Sequence, residues 1–226
     1  MAVIHNAELR PSKTDAIAAW LPSQPWSGVE DPGAIVALGR FRFDDPDGEV
    51  GVETYLVRVG DGPVLHVPLT YRGVPLPGAE AFLVTEMDHS VLGRRWVYDA
   101  VGDPVYADVL RRAIATGGHE ADLEAAPGEG GAAPTKEGAA VGSGSDADSP
   151  TVAAVDVVTA GTTSTVSMGH GDLVVLRVVG AEATTATVSD APGATDAPDT
   201  PDTPDGATLT ATWAGSEPTV VAVLRP

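Results

Sequence analysis

The triplet His170-Gly171-Asp172 comes closest in this chain to reaction machinery. A His-Gly-Asp loop can present a catalytic aspartate for phosphoryl transfer. That chemistry also requires a second Asn or Asp for Mg²⁺ and a lysine on the phosphates. Here the triplet runs directly into Leu173-Val174-Val175-Leu176, the pattern of a buried strand. Gly171-Asp172 is ordinary turn chemistry. The lysines are Lys13 and Lys136, one in the first turn of an expected helix and one in a glycine-rich stretch. Where a strand lysine would stand, the sequence offers Leu176 and Arg177, and no Gly-x-x-x-x-Gly-Lys-Ser/Thr loop occurs. The triplet reads as a turn before a strand. No catalytic residue and no cofactor are expected, and the chain reads as a non-enzyme.

Other constellations weaken in the same way. His5, His66, His89, His119 and His170 never fall at i, i+2 or i, i+4, so no local metal pair is visible. His66 stands among apolar neighbours and reads as a structural histidine. His89-Ser90 lacks the Gly-x-Ser-x-Gly elbow of a hydrolase. The carboxylates of Asp44-Asp45-Pro46-Asp47-Gly48-Glu49 lack a calcium ligand ladder and read as a solvated hairpin tip. With no cysteine, disulfides, thiolate metal sites and cysteine nucleophiles are excluded. What remains is recognition chemistry. Trp20-Leu21-Pro22-Ser23-Gln24-Pro25-Trp26 carries two of the four tryptophans and predicts a rigid corner packed on a sheet. Arg94-Arg95-Trp96 lies in the densest polar–aromatic segment, and Arg and Trp are enriched at binding hot spots. Trp20, Gln24, Trp26, Arg94, Arg95 and Trp96 are the candidate interaction residues; a purely structural role is the competing reading.

Charge narrows the partners. The net charge is −19, with 10 basic and 19 acidic side chains in residues 1–126, and 3 and 13 in the rest. Such a surplus repels nucleic-acid phosphate and anionic lipid. No apolar run approaches the roughly 18–20 residues that span a bilayer. The N-terminus lacks a basic start with a long apolar run, so no signal peptide is expected and a cytoplasmic location is. The bias of Arg over Lys, with abundant Ala, Gly, Asp and Val, fits a GC-rich bacterial genome; a halophile's acidic surface is the alternative.

These residues need elements to hold them. Ser12 can cap a short helix that places Ala16, Ile17, Trp20 and Leu21 at helical spacing before Pro22 ends it. Alternating apolar residues predict strands over 34–44, 49–60 and 63–71, joined by Asp45-Pro46-Asp47-Gly48 and Asp61-Gly62 turns into an antiparallel meander. Shorter extended pieces fall at 81–85 and 95–98. Asp103-Pro104 opens a second helix with an apolar stripe of Val105, Tyr106, Val109, Leu110, Ala113 and Ile114, stopped by Gly117-Gly118. Residues 127–150 are rich in Gly, Ala, Ser and Pro and read as a disordered loop or linker. Strands are expected again at 151–159, 163–167, 172–179, 183–189, 207–213 and 219–224, interrupted at 190–206 by a Thr-Pro-Asp repeat read as a disordered loop. The fold class is α+β: a curved antiparallel sheet with two short helices, then a β-rich C-terminal part. The division is 1–126, 127–150 and 151–226, with the outer parts expected to share one composite domain, since six short strands alone make a thin core.

Several segments together resemble the N-terminal cap of bacterial maltokinases and related actinobacterial aminosugar kinases. They are the 5–11 segment His-Asn-Ala-Glu-Leu-Arg-Pro, the Trp20 to Trp26 heptad, Phe41-Arg42-Phe43 through Asp44-Asp45-Pro46-Asp47-Gly48-Glu49-Val50-Gly51, Val67-Pro68-Leu69-Thr70-Tyr71-Arg72-Gly73, and His89-Ser90-Val91-Leu92-Gly93 through Trp96-Val97-Tyr98-Asp99 to Asp103-Pro104-Val105. The resemblance covers about residues 1–117. The remainder corresponds either to the start of a kinase small lobe or to a β-rich extension of the cap.

In those kinases the cap is a curved antiparallel sheet with helices, set against the ATP-binding lobe, which it supports or regulates. The resemblance implies a stand-alone cap-like module of actinobacterial trehalose, glycogen or aminosugar metabolism. Its partner would be a sugar kinase or another glucan-metabolism enzyme. A small-molecule or sugar binder is the second reading, and a sugar kinase-related enzyme the third. The sequence leaves oligomeric state open.

Overall fold

Ser12 starts the first helix. Its hydroxyl accepts the Asp15 backbone N–H at 3.2 Å, and helix α1 (Lys13–Trp20) follows. Pro22 and Pro25 set two single 3-10 turns, Leu21–Ser23 and Pro25–Ser27. Ser23 Oγ donates to the Trp20 carbonyl and Ser27 Oγ to that of Leu21, which fixes the expected corner. The computed structural model describes residues 2–4 (backbone only), 7–126, 135–180 and 205–226. Its strands in chain order are β1 (Ala2–Ile4), β2 (Leu9–Arg10), β3 (Ile35–Phe43), β4 (Gly51–Val59), β5 (Val64–Arg72), β6 (Leu83–His89), β7 (Gly93–Asp99), β8 (Leu123–Ala125), β9 (Gly138–Gly142), β10 (Asp156–Ala160), β11 (Thr163–Ser167), β12 (Asp172–Leu176), β13 (Val178–Val179), β14 (Ala207–Trp213) and β15 (Thr219–Arg225). Helix α2 (Pro104–Thr116) lies between β7 and β8.

The class is α+β, mostly strand: a curled antiparallel sheet, two short helices and a further β-rich sheet. The first sheet runs β2-β6-β7-β5-β4-β3, and the second β10-β11-β12-β15-β14-β9; β1 pairs with β8 in parallel. The expected meander is present as β3-β4-β5. Side chains alternate across a sheet, so the first sheet has two apolar faces. One, with Tyr55, Val57, Leu65, Val67, Leu69, Met87 and Val97, packs on Ala16, Ile17, Trp20, Leu21 and Trp26. The other, with Phe41, Phe43, Val52 and Leu56, packs on α2 and the second sheet in one continuous core.

Helix α2 begins as expected. The Asp103 side chain accepts the Val105 N–H at 3.0 Å and also holds the Arg72 guanidinium of β5 through bonds of 2.7 and 2.6 Å. Gly117, with φ at 70°, ends it.

Three expectations are corrected. The 127–150 stretch is not a disordered linker where it is described. Gly138–Gly142 forms β9, paired with β14, and the chain beyond it lies on the C-terminal turn of α2. Gly144 and Asp146 donate backbone N–H to the carbonyls of Ile114 and Ala115. A Cβ at Gly142 would stand 2.0 Å from the Ala113 carbonyl oxygen, so small residues here mean close approach of two backbones. The strand expected over 151–159 is confined to Asp156–Ala160. The strand expected over 172–179 breaks at Arg177: β12 belongs to the second sheet, while β13 crosses to pair with β5 of the first. Between them the Arg177 N–H bonds to the Thr162 carbonyl and the Arg177 carbonyl accepts the His66 N–H. The strand expected at 183–189 and all of the 190–206 repeat except 205–206 lie outside the described residues, as do His5 and Asn6.

Candidate functional site

Beside the N-terminal end of α1, the apolar face of the first sheet gives way to charge. A cavity of about 610 Å³ opens there. Its wall includes Lys13, Arg40, Arg42, Arg95 and Lys136, five of the thirteen basic residues of the chain. Carboxylates face them. Glu53, only 3% exposed, takes a 2.5 Å bond from Lys13 Nζ, whose ammonium also lies 4.8 Å from the Tyr71 ring centre. Burial works against the charged form of Glu53, but Lys13 and Arg42 outweigh it and hold its pKa below the usual carboxylate range. Arg40 bonds to Glu137 at 2.9 Å, and Lys136 to Glu120 and Asp122 at 2.9 Å each.

Strand register explains the grouping. Arg42 is directly opposite Glu53, and Gly51 opposite Tyr71. The Tyr71 hydroxyl is shielded from solvent near Glu53 without a well-formed hydrogen bond. Burial, then the Glu53 charge, pushes its pKa well above that of a free phenol. Arg42 donates no side-chain hydrogen bond to any described residue, and its Nε, like that of Arg95, is shielded from water without a partner.

The six candidate residues separate. Trp20 and Trp26 are 8% and 4% exposed and meet edge to face at 5.7 Å between ring centres, beneath α1. Gln24 is half-buried and its Nε2 donates to Ser23 Oγ. Arg94 is exposed and paired with Glu86, whereas Arg95 turns to the cavity and bonds the Leu92 carbonyl at 2.9 Å. Trp96, half-buried, is the next residue along β7, where side chains alternate between faces. The sequence reading missed Lys13, Arg42, Glu53 and Tyr71 as cavity residues. No local run marks them: Arg42 and Glu53 meet through the β3–β4 register, Tyr71 ends an otherwise apolar face of β5, and Lys13 reaches them from α1.

The buried cation was missed as well. Arg177 is fully buried, with Nη1 and Nη2 on the Asp99 carboxylate at 2.9 and 2.6 Å, Nε on Ser164 Oγ at 2.8 Å and its guanidinium 4.8 Å from the Trp26 ring centre. The reactive-looking motifs are occupied structurally. His89 Nδ1 accepts N–H bonds from Val91 and Leu92, and Ser90 Oγ accepts one from Glu8. Asp45 accepts from the backbone N–H of Asp47, Glu49 and Val50, which closes the hairpin tip. The His170-Gly171-Asp172 turn leads into β12, with the His170 carbonyl held by Arg111. Among the described residues no group of three His, Cys, Asp or Glu could hold a metal ion, and no helix is long and apolar enough to cross a membrane.

A two-faced antiparallel sheet, hooked on one face by a short helix and a tryptophan corner, defines an α+β module that is mostly strand. Residues 20–103 match the maltokinase N-terminal cap domain family, and over this span the chain resembles that family. The match runs from the tryptophan corner through β7 to the cap residue of α2. A search of curated proteins gives no match.

Proposed function

We propose that this chain is a non-catalytic, cap-like module acting through a protein partner, a sugar kinase or another enzyme of actinobacterial trehalose, glycogen or aminosugar metabolism, in the cytoplasm. The family match over residues 20–103 carries the reading. The commitments of both lysines support it, since Lys13 is engaged by Glu53 and Lys136 by Glu120 and Asp122. Arg94, the one exposed candidate residue, and half-buried Trp96 beside it on β7 are the first places to test for contact. Capture on the immobilised full chain, from actinobacterial lysate with identification by mass spectrometry, tests the reading. Enrichment of a carbohydrate-metabolism enzyme, weakened by Arg94→Ala or Trp96→Ala, is expected. Turnover of ATP by the purified chain with maltose or glucosamine would overturn it.

We also propose that residues 1–126 and 151–226 fold as one composite unit. Pairing of β13 with β5 and the core shared between α2 and the second sheet support this. A second functional reading, a small-molecule binder, is favoured by the cavity beside Tyr71.

A further inference from the structure

Two arginines on the cavity wall are seated by glycines. A Cβ on Gly51 would stand 3.4 Å from Arg42 Nη2 and 3.4 Å from Tyr71 Cβ. A Cβ on Gly73 would stand 2.8 Å from Arg95 Nη1. Each guanidinium therefore lies over backbone that carries no side chain. Gly51 pairs with Tyr71, and Gly73 follows two residues along the chain from Tyr71. Both guanidinium groups therefore lie on the one cavity wall that Tyr71 also lines.

Charge on the wall is not balanced evenly. Lys13 is committed to Glu53, Arg40 to Glu137 and Lys136 to Glu120 and Asp122. Arg42 stands near Glu53, which Lys13 already bonds, and Arg95 bonds the neutral Leu92 carbonyl. Asp44, Asp45 and Glu49 also stand on the wall, but neither guanidinium is hydrogen-bonded to a carboxylate of the described residues, so each is a planar donor set without a bonded anion. Arginine forks match phosphate oxygens in paired bonds. The cavity is larger than a lone phosphate requires, and Met87, Leu92 and the Tyr71 ring offer apolar surface to an organic body.

We propose that this cavity binds a small phosphomonoester, its dianionic head held between Arg42 and Arg95 beside Tyr71. The site is independent of the partner-binding reading, because its ligand contacts lie on the chain itself. The test is isothermal titration calorimetry of the full chain with glycerol 3-phosphate, inorganic phosphate and malonate. Saturable one-to-one binding of glycerol 3-phosphate is expected, tighter than that of either other anion. Arg42→Gln and Arg95→Gln should each weaken it at least about tenfold, as loss of a charge-assisted contact does. Gly73→Ala keeps both arginines but crowds Arg95, and should weaken binding several-fold with an unchanged circular dichroism spectrum. Inorganic phosphate binding as tightly as the ester would replace the ester with free phosphate and overturn the assignment. Malonate binding equally well would overturn the phosphate class. No heat from the wild-type chain at about 10 mM ester, or binding indifferent to all three variants, would remove the site.

Discussion

Arg177 and His66 occupy neighbouring places at the junction of the two sheets, and their chemistry is opposite. Arg177 keeps its charge in the interior because Asp99 supplies both oxygens and Ser164 and the Trp26 face complete its surroundings. Removing one partner of such a pair strands the other charge, which costs about 3–5 kcal/mol. Arg177→Ala should lower the unfolding free energy by about that amount in a urea titration, whereas Arg177→Met with Asp99→Leu should recover most of the loss. His66 is buried, and Nδ1 donates to the Leu176 carbonyl at 2.9 Å, because a carbonyl oxygen can only accept. Burial, aided by the Arg177 charge and opposed by the carbonyls of Leu176 and Val221, lowers its pKa from 6.5 to about 4. The folded chain therefore holds His66 neutral while the unfolded chain protonates it. This contribution to stability is complete above about pH 6.5 and declines as the pH falls towards 4, by about 1.4 kcal/mol per unit. His66→Gln should flatten that part of the stability profile, measured by denaturant unfolding at stepped pH.

At the scale of elements, turn chemistry was legible and strand partnership was not. Asp45-Pro46-Asp47-Gly48 fixed a hairpin, Ser12 and Asp103 fixed helix starts, and Gly117 a helix end, because each acts through neighbours a few residues away. The break at Arg177 was hidden because its partner Asp99 lies 78 residues earlier in the chain. Glycine misled for the same reason. At Gly142 and Gly144 it serves a contact with α2 that composition cannot reveal. Gly142→Ala should destabilise the protein by about 1–3 kcal/mol, since the obstructing atom is backbone and cannot rotate away. Thermal unfolding followed by circular dichroism would show it. Of the candidate site, the Arg94–Trp96 segment was visible as a dense polar–aromatic run, but strand alternation decided that Arg95 rather than Arg94 faces the cavity. Arg42, Glu53 and Tyr71 come together only through register across three strands.

Over the whole molecule, the two sheets are bound by more than contact. One edge of β5 is shared, with Leu69–Arg72 pairing β7 and Val64 and Leu65 pairing β13. If residues 1–126 and 151–226 form one folding unit, tryptophan fluorescence and far-ultraviolet circular dichroism should report the same urea midpoint. Trp26 lies against Arg177 at the junction, and Trp213 lies at the end of β14 in the second sheet. Two separated transitions would divide the unit.

The family match stops at residue 103, yet Phe41, Phe43, Val52 and Leu56 are covered by α2 and the second sheet, which come later in the chain. A polypeptide trimmed to the matched span would present that greasy flank to water and leave Asp99 without its guanidinium. Such a fragment should clump on expression, and any homologue reduced to that length must have evolved another lid for the same surface.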